Sequence, residues 1–217
     1  MSDILPVLSK LLERLVGNSY TLDYLNAQHL LPDCQSAYRA HYCTETAILK
    51  VMSDILLALD SGDLALLTLL DLSAVFDTVD HVILLQRLKT SYGISGPVLG
   101  WLTCYLSNRT QFVQRGGSQS KPSAVICGVP QGSVLGPILF LLYTADLARL
   151  AATHGLHVHL YADDTQVYGS CRTDGVAPLQ DAVSTCVSDM SAWMRSNRLQ
   201  LNTKLFQVNS SVDCSSL

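Results

Sequence analysis

The sequence predicts an α+β fold with a central antiparallel sheet, on three observations. Leucines recur at helical spacing within the first sixty residues, which indicates a helical N-terminal region. Predicted strands and helices then interleave over residues 62–200. Within that region, residues 109–127 and 157–168 each have the pattern of two short strands joined by a turn, which is typical of antiparallel pairing.

The composition is that of a globular protein. Of the 217 residues, 48% are apolar and 15% are charged, which excludes a disordered chain and allows one large domain or two small ones. The net charge of −4 is unusual for a chain that binds nucleic acid without the help of other domains, since such chains are usually basic.

The cysteines and the apolar runs indicate in which cellular compartment the protein is expected. Seven cysteines without a CxxC pair predict neither a disulfide framework nor a zinc site, and so an intracellular protein, in the nucleus or the cytoplasm. The N-terminus does not have the pattern of a signal peptide. The longest apolar runs, Leu64–Leu70 and residues 134–145, are too short for a membrane span, so no membrane partner is expected.

The elements follow in order along the chain. Leucines from Leu5 to Leu15 predict a first helix, with Lys10 and Arg14 on its polar side. A second helix is predicted over residues 20–30, and a third from the N-cap Thr44 to the stop at residues 61–62.

A nearly continuous apolar run at residues 64–72 predicts a buried central strand. The remaining predicted elements are a helix over residues 78–90 capped by Asp77 or Thr78, two strands around Gly116-Gly117-Ser118, a loop over residues 128–137 leading into a helix with Pro137 in its first turn, a hairpin around residues 162–164, and a last helix over residues 179–196.

Three carboxylates are candidates for chemistry. Asp71 comes at the end of the apolar run, where burial of a charge is costly unless it binds a metal, although Asp71 could equally lie just past the strand in solvent. Asp163 and Asp164 could simply favour a turn. If the sheet brings all three together, their repulsion calls for a cation, and two Mg²⁺ ions would meet that need and support phosphoryl transfer.

The loop over residues 128–133 could position a substrate. Gly132 allows a backbone to approach a ligand closely, and Gln131 offers both an amide donor and an acceptor. The alternative is an ordinary tight loop before a helix.

Three segments together resemble one family. They read DLSAVFDTVDH at residues 71–81, GVPQGSVLGPILFLLYTAD at 128–146 and YADDTQVY at 161–168. In order and spacing they resemble the reverse transcriptases of non-long-terminal-repeat (LINE-type) retrotransposons, over about residues 4–203. The resemblance implies a right-hand polymerase fold, with helical fingers at residues 1–62 and a palm with the fingers/palm hairpin at 63–203. Residues 204–217 depart from the family pattern as a diverged tail and leave no room for a thumb, so we expect the thumb to be absent.

The resemblance also implies site residues. Asp71 and Asp163 correspond to the catalytic metal ligands, with the Leu72 carbonyl as a further contact and Asp164 as a less important neighbour. Phe76 corresponds to the aromatic gate under the sugar that favours dNTPs. The implied nucleotide-binding positions are Ala74 and Val75 through their backbone N–H groups, Gln131, Gly132 and Arg39. The implied cofactor is two Mg²⁺ ions, with Mn²⁺ as a substitute, and the implied partners are an RNA template, a DNA primer and dNTPs.

Some residues depart from the family pattern. Val75 stands where Ala is usual and Cys43 where Ser is usual. Near the C-terminus Lys204 comes one position early relative to LxLNxxKTE, without the Thr-Glu that should follow. The sequence therefore predicts a truncated retrotransposon-derived copy, with thumb and endonuclease supplied by other chains or lost.

Two alternatives stay open beside the polymerase. A retroelement remnant without turnover is favoured by the missing thumb and the altered tail. Another two-metal palm enzyme would be an RNA-templated RNA polymerase, against which Phe76 argues, or a nucleotide cyclase, against which the loop over residues 128–133 argues.

Overall fold

The computed structural model describes residues 4–17, 23–39, 41–73, 75–130, 132–202 and 206–210. The helices are α1 (Ile4–Arg14), α2 (Asp23–Ala27), α3 (Thr44–Asp60), α4 (Val75–Thr78), α5 (His81–Thr90), α6 (Gly96–Leu106), α7 (Leu135–Thr144), α8 (Asp146–Thr153) and α9 (Val176–Ser196). The strands are β1 (Leu64–Leu70), β2 (Leu72–Ser73), β3 (Arg109–Gln111), β4 (Gln114–Arg115), β5 (Ser118–Gln119), β6 (Ser123–Val125), β7 (His157–Tyr161), β8 (Asp164–Cys171), β9 (Gln200–Leu201) and β10 (Phe206–Ser210).

The chain forms two compact units, each made from two stretches of sequence. The first unit comprises Met1–Leu31 and Ala74–Tyr143, and the second comprises Pro32–Ser73 and Thr144–Leu217. These units divide the chain differently from the expected fingers (1–62), palm (63–203) and tail (204–217). Fingers and palm are functional divisions, and their boundaries stay a prediction.

The second unit is built on a four-stranded antiparallel sheet with the order β10-β1-β8-β7. Strand β1 therefore has a strand on each side, and its apolar sequence LALLTLL suits a strand against which helices also pack. Ala65 on one face of β1 packs with Val51 and Ile55 of α3. Helix α9 also contacts β1 and β8. The predicted central strand and the α+β class are confirmed.

The first unit is mainly helical. Helices α5 and α6 pack together through leucines that are at most 1% exposed, including Leu84, Leu88, Leu102 and Leu106. Strands β4 and β5 form the predicted hairpin, with φ values of +52° at Gly116 and +84° at Gly117, as a tight two-residue turn requires.

Two helix starts differ from the prediction. The N-cap of α3 is Cys43, whose Sγ accepts a hydrogen bond from the Thr46 N–H at 3.5 Å, so Thr44 is the first helical residue. The helix predicted to begin near residue 78 begins at His81 with Asp80 as its cap, because the residues just before it form the separate short helix α4.

The predicted helix after Pro137 is confirmed as α7, and it continues almost directly into α8. The joined stretch Leu135–Thr153 is long and apolar enough, by length and composition, to cross a membrane. The run expected at residues 134–145 thus belongs to a longer helical segment. Since 61% of its most apolar window is buried in the protein, the stretch also fits an ordinary core helix.

Candidate active site

The β7–β8 hairpin carries two of the predicted carboxylates at its tip. Tyr161 pairs with Asp164, so Ala162 and Asp163 form a two-residue turn. Ala162 has φ +54°, the left-handed conformation that such turns use. The predicted hairpin around Ala162-Asp163-Asp164 is therefore confirmed.

Asp71 lies next to this tip. It directly follows β1, in which Leu70 pairs with Thr165, so the same register places Asp71 level with Asp164. The Asp71 side chain is exposed just past the strand, the second of the two predicted placements, so its burial gives no reason to expect a bound metal. Its Oδ2 instead accepts a hydrogen bond from Asn202 Nδ2 at 2.9 Å, and its carbonyl oxygen accepts one from the Asn202 N–H at 2.8 Å.

The three carboxylates interact electrostatically. The pKa of Asp164 is raised above its ordinary value of 3.8, first by burial and then by the negative charges of Asp163 and Asp71. Asp164 nevertheless keeps an exposed side chain, which weakens these effects. Among the described residues, no three His, Cys, Asp or Glu side chains are gathered closely enough to enclose a metal ion. The site is thus an open carboxylate cluster.

The chain beyond Asp71 is fixed by a short pairing. Leu72 is 5% exposed and pairs with Leu201 in the two-stranded β2–β9 sheet. The β2–β9 pairing and the two hydrogen bonds between Asn202 and Asp71 thus fix the backbone around the Leu72 carbonyl group, which is the predicted metal contact.

Arg39 lies in the second unit with the carboxylates. Its Nη1 donates hydrogen bonds to the carbonyl oxygens of Pro32 and Gln35, both at 3.1 Å. Its guanidinium carbon also lies 5.7 Å from the centre of the Tyr42 ring. Arg39 therefore stabilises the loop in which it lies.

Three residues around the hairpin tip were not predicted from the sequence. The first is Asn202, which donates a hydrogen bond to Asp71. The second is Gln35, whose side-chain oxygen accepts a hydrogen bond from the Ala162 N–H at 3.3 Å. The third is Tyr38, which has φ +57°. Its pKa is raised first by burial and then by the negative charge of Asp163. Asn202 falls within the LxLN motif, a usable signal, whereas no sequence pattern marks the other two.

The remaining predicted site residues belong to the first unit. Val75 is 4% exposed at the start of α4. The Phe76 ring lies 5.4 Å from that of Phe140, centre to centre. Gly132 has φ +71°, and among the described residues other than its chain neighbours no atom lies within 4 Å of where its Cβ would be. The remaining two predicted residues, Ala74 and Gln131, lie outside the described residues.

The loop that begins at Gly128 is anchored beside Phe76. The Val129 N–H donates to the Phe76 carbonyl oxygen at 2.7 Å, and the Gly128 N–H donates to the Val79 carbonyl oxygen at 2.8 Å. His81 Nε2 lies 2.7 Å from the Gly128 carbonyl oxygen, which can only accept, so Nε2 carries the proton. A groove of about 760 Å³ borders this loop and includes Arg109 and Gln111 in its lining.

Comparison with known proteins shows the family. The family model described as reverse transcriptase (RNA-dependent DNA polymerase) matches residues 2–212. The chain is 33% identical over 206 residues to the probable RNA-directed DNA polymerase from transposon BS of Drosophila melanogaster, covering 92% of the chain. It is 31% identical over 187 residues to the RNA-directed DNA polymerase from mobile element jockey of Drosophila funebris, covering 83% of the chain. The chain spans 22% and 20% of the lengths of these two relatives.

Solved structures share the fold. A telomerase from Candida tropicalis in complex with a fragment of telomeric RNA matches 97% of the chain and 35% of its own length, with a TM-score of 0.69 and 14% identity. An apo telomerase from the same organism matches with a TM-score of 0.61 and 12% identity, over 96% of the chain and 41% of its own length. These structures show the shared fold, and the family match over residues 2–212 shows that the chain belongs to the reverse transcriptase family.

Proposed function

We propose that this chain is a nucleotidyl-transfer domain that extends a DNA primer with dNTPs on an RNA template. One observation carries the proposal: the β1–β8 pairing sets Asp71 beside the turn that holds Asp163 and Asp164. These carboxylates occupy the motifs DLSAVF and YADD, within the region that the family model covers. The relatives named above are RNA-directed DNA polymerases, which supports the choice of template and product.

The donor set fits a divalent metal site. Asp71 and Asp163 offer carboxylate oxygens, and Leu72 offers a backbone carbonyl, the hard oxygen donors that Mg²⁺ prefers. The pKa of Asp164 is raised first by burial and then by the charges of Asp163 and Asp71, and a cation would relieve that repulsion. Two Mg²⁺ ions held there, or Mn²⁺ in their place, would activate the primer 3′-hydroxyl and stabilise the leaving pyrophosphate.

The chain's own groups then have distinct tasks. Asn202 holds one oxygen of Asp71, which fixes the orientation of that carboxylate. Asp164 adds negative charge as a neighbour of lesser importance.

The nucleotide would be positioned by groups carried over from the family motifs. We assign the backbone N–H groups of Ala74 and Val75 to the triphosphate, and Gln131 and Gly132 to the nucleotide and template base. The Phe76 ring, supported by Phe140, would exclude a ribose 2′-hydroxyl. We also assign Arg39 to the triphosphate, with its Nη1 donating to the carbonyl oxygens of its own loop.

The wider organisation is part of the same proposal. We assign residues 1–62 to fingers and 63–203 to palm, and we assign no described element to a thumb. The chain has 14 Lys and Arg against 18 Asp and Glu. Since grip on nucleic acid depends mainly on basic contacts to phosphates, we expect weak, salt-sensitive binding of the template–primer duplex.

Primer extension on an RNA template tests the proposal. The native chain with Mg²⁺ should extend the primer, and Asp163→Asn should reduce extension to background because a metal ligand is lost. Asp174→Asn is the matched control, since it removes the same charge from an exposed position in the same unit, and it should keep native activity. Extension by Asp163→Asn at the native rate would refute the assignment, and no extension by the native chain would favour the remnant without turnover.

A further inference from the structure

A stretch of irregular chain runs along the edge of the sheet beside the candidate site. The Leu160 N–H in β7 donates to the Cys34 carbonyl oxygen at 2.8 Å, and the Ser36 N–H donates to the Leu160 carbonyl oxygen at 2.9 Å. These bonds form a parallel bridge between Gln35 and Leu160. The loop before α3 is therefore tied to the strand that leads into the Asp163 turn.

The side chain of Gln35 extends this connection to the turn itself. It is 2% exposed, and its Oε1 accepts hydrogen bonds from the Ala37 N–H at 2.9 Å and from the Ala162 N–H at 3.3 Å. Both partners are backbone donors, so the amide must present its oxygen to them. One buried oxygen thus joins the loop to the hairpin tip.

The backbone conformation of this turn is unfavourable without stabilising contacts. Ala162 carries a Cβ in the left-handed conformation, φ +54°, which residues other than glycine adopt at a cost in energy. Such conformations persist when surrounding contacts fix them. The hydrogen bond from the Ala162 N–H to Gln35 is such a contact, and it lies one residue from the Asp163 carboxylate.

We infer that Gln35 is a positioning residue that fixes the Ala162–Asp163 turn and so sets the affinity of the carboxylate cluster for divalent metal. This inference rests on the proposed function, because it deepens the account of the same metal site. Residues that orient metal ligands from outside the site change metal affinity by about 10–100-fold when they are replaced. We expect a loss in this range when Gln35 cannot accept the hydrogen bond.

The test compares three variants of the full chain. Gln35→Met keeps the length of the side chain but removes the strong acceptor. Gln35→Glu keeps an oxygen acceptor at that position. Gln166→Met is the matched control, because it makes the same change in β8 at a glutamine whose Oε1 finds no hydrogen-bond partner among the described residues.

Two readouts are measured on each variant. Mn²⁺ binding, followed by electron paramagnetic resonance, reports metal affinity without activity. Amide hydrogen exchange at Ala162, followed without metal, reports the order of the turn. Thermal melting confirms that each variant is folded at the temperature of measurement.

Gln35→Met should bind Mn²⁺ about 10–100-fold more weakly than the native chain. Its Ala162 amide should exchange roughly 5–10-fold faster, which corresponds to the loss of one hydrogen bond. Gln35→Glu should keep the slow exchange at Ala162, and Gln166→Met should stay close to native in both readouts. Unchanged exchange at Ala162 in Gln35→Met, or an equal loss of Mn²⁺ affinity in Gln166→Met, would overturn the inference.

The two hypotheses fail in different ways. If the native chain does not bind Mn²⁺, the metal site of the proposed function is refuted, and the exchange comparison still decides whether Gln35 orders the turn. If the native chain binds Mn²⁺ and Gln35→Met binds it equally well, only the role of Gln35 is refuted.

Discussion

Replacing Gly128 with alanine should destabilise the protein and displace the backbone at Phe76. Gly128 has φ +87°, and a Cβ there would lie 2.9 Å from the Phe76 carbonyl oxygen and 3.0 Å from the Asp77 Cα. The left-handed conformation costs an alanine about 1–2 kcal/mol. The contacts with backbone atoms, which cannot rotate away, add about 1–3 kcal/mol, the usual cost of overpacking. The free energy of unfolding should therefore fall by about 2–5 kcal/mol.

Gly62→Ala is the matched control for this variant. Gly62 has φ +81°, but in the described part of the chain no atom beyond its chain neighbours lies within 4 Å of the added Cβ, so this variant carries the conformational cost alone. Urea denaturation of the native chain and both variants measures the two free-energy losses on one scale. Gly128→Ala should lose clearly more stability than Gly62→Ala. Equal losses would show that the loop does not pack closely against Phe76 as described.

Three further predictions concern single side chains. Asp80→Ala should cost about 0.5–2 kcal/mol in thermal unfolding, because its carboxylate caps two N–H groups at the start of α5; an unchanged melting temperature would contradict this. Asp164→Asn should stabilise the metal-free chain at neutral pH. Burial and two neighbouring carboxylates raise the folded-state pKa of Asp164, so above that pKa its charge destabilises the folded protein. The stability gained in the variant should therefore vanish below the ordinary pKa of 3.8, where the native side chain is protonated in both states. Melting temperatures of both proteins measured against pH check the direction of this difference. Phe76→Val should raise the use of rNTPs relative to dNTPs by about 10–200-fold in primer extension, and unchanged sugar selectivity would remove Phe76 from the gate.

Much of the second unit could be predicted because local sequence and final environment agree there. Strand β1 packs against helices α3 and α9, which requires apolar side chains, and its sequence shows them directly. The β7–β8 hairpin is marked by the polar tip at Asp163-Asp164 between two alternating segments. Helix α6 was missed because Gly96, Pro97 and Gly100 obscure its helical pattern.

The N-terminal helix shows why periodicity alone can mislead. Leucines at helical spacing correctly predict α1, and they would ordinarily mark its buried side. In the structure Leu8 and Leu12 are half-exposed, whereas Glu13 is buried and its Oε2 accepts a hydrogen bond from the Val134 N–H at 2.7 Å. That contact joins residues 121 positions apart, and no local pattern reports it.

The candidate site also combines residues that the sequence predicts with contacts that it does not. The carboxylates at Asp71 and Asp163 stand out in sequence because they follow the ends of strands within family motifs. Their supporting contacts come from Asn202, 131 positions from Asp71, and from Gln35, 127 positions from Ala162. These contacts depend on the sheet being formed, so they follow from the structure alone.

Anomalous scattering from Mn²⁺ in crystals of this chain would test the central claim most directly. The proposal predicts at least one Mn²⁺ peak about 2.0–2.5 Å from carboxylate oxygens of both Asp71 and Asp163. The two carboxyl groups should then lie within about 5 Å of each other, as in a shared two-metal site. A well-ordered structure with no Mn²⁺ at these residues, or with the two carboxyl groups more than about 10 Å apart, would contradict the account.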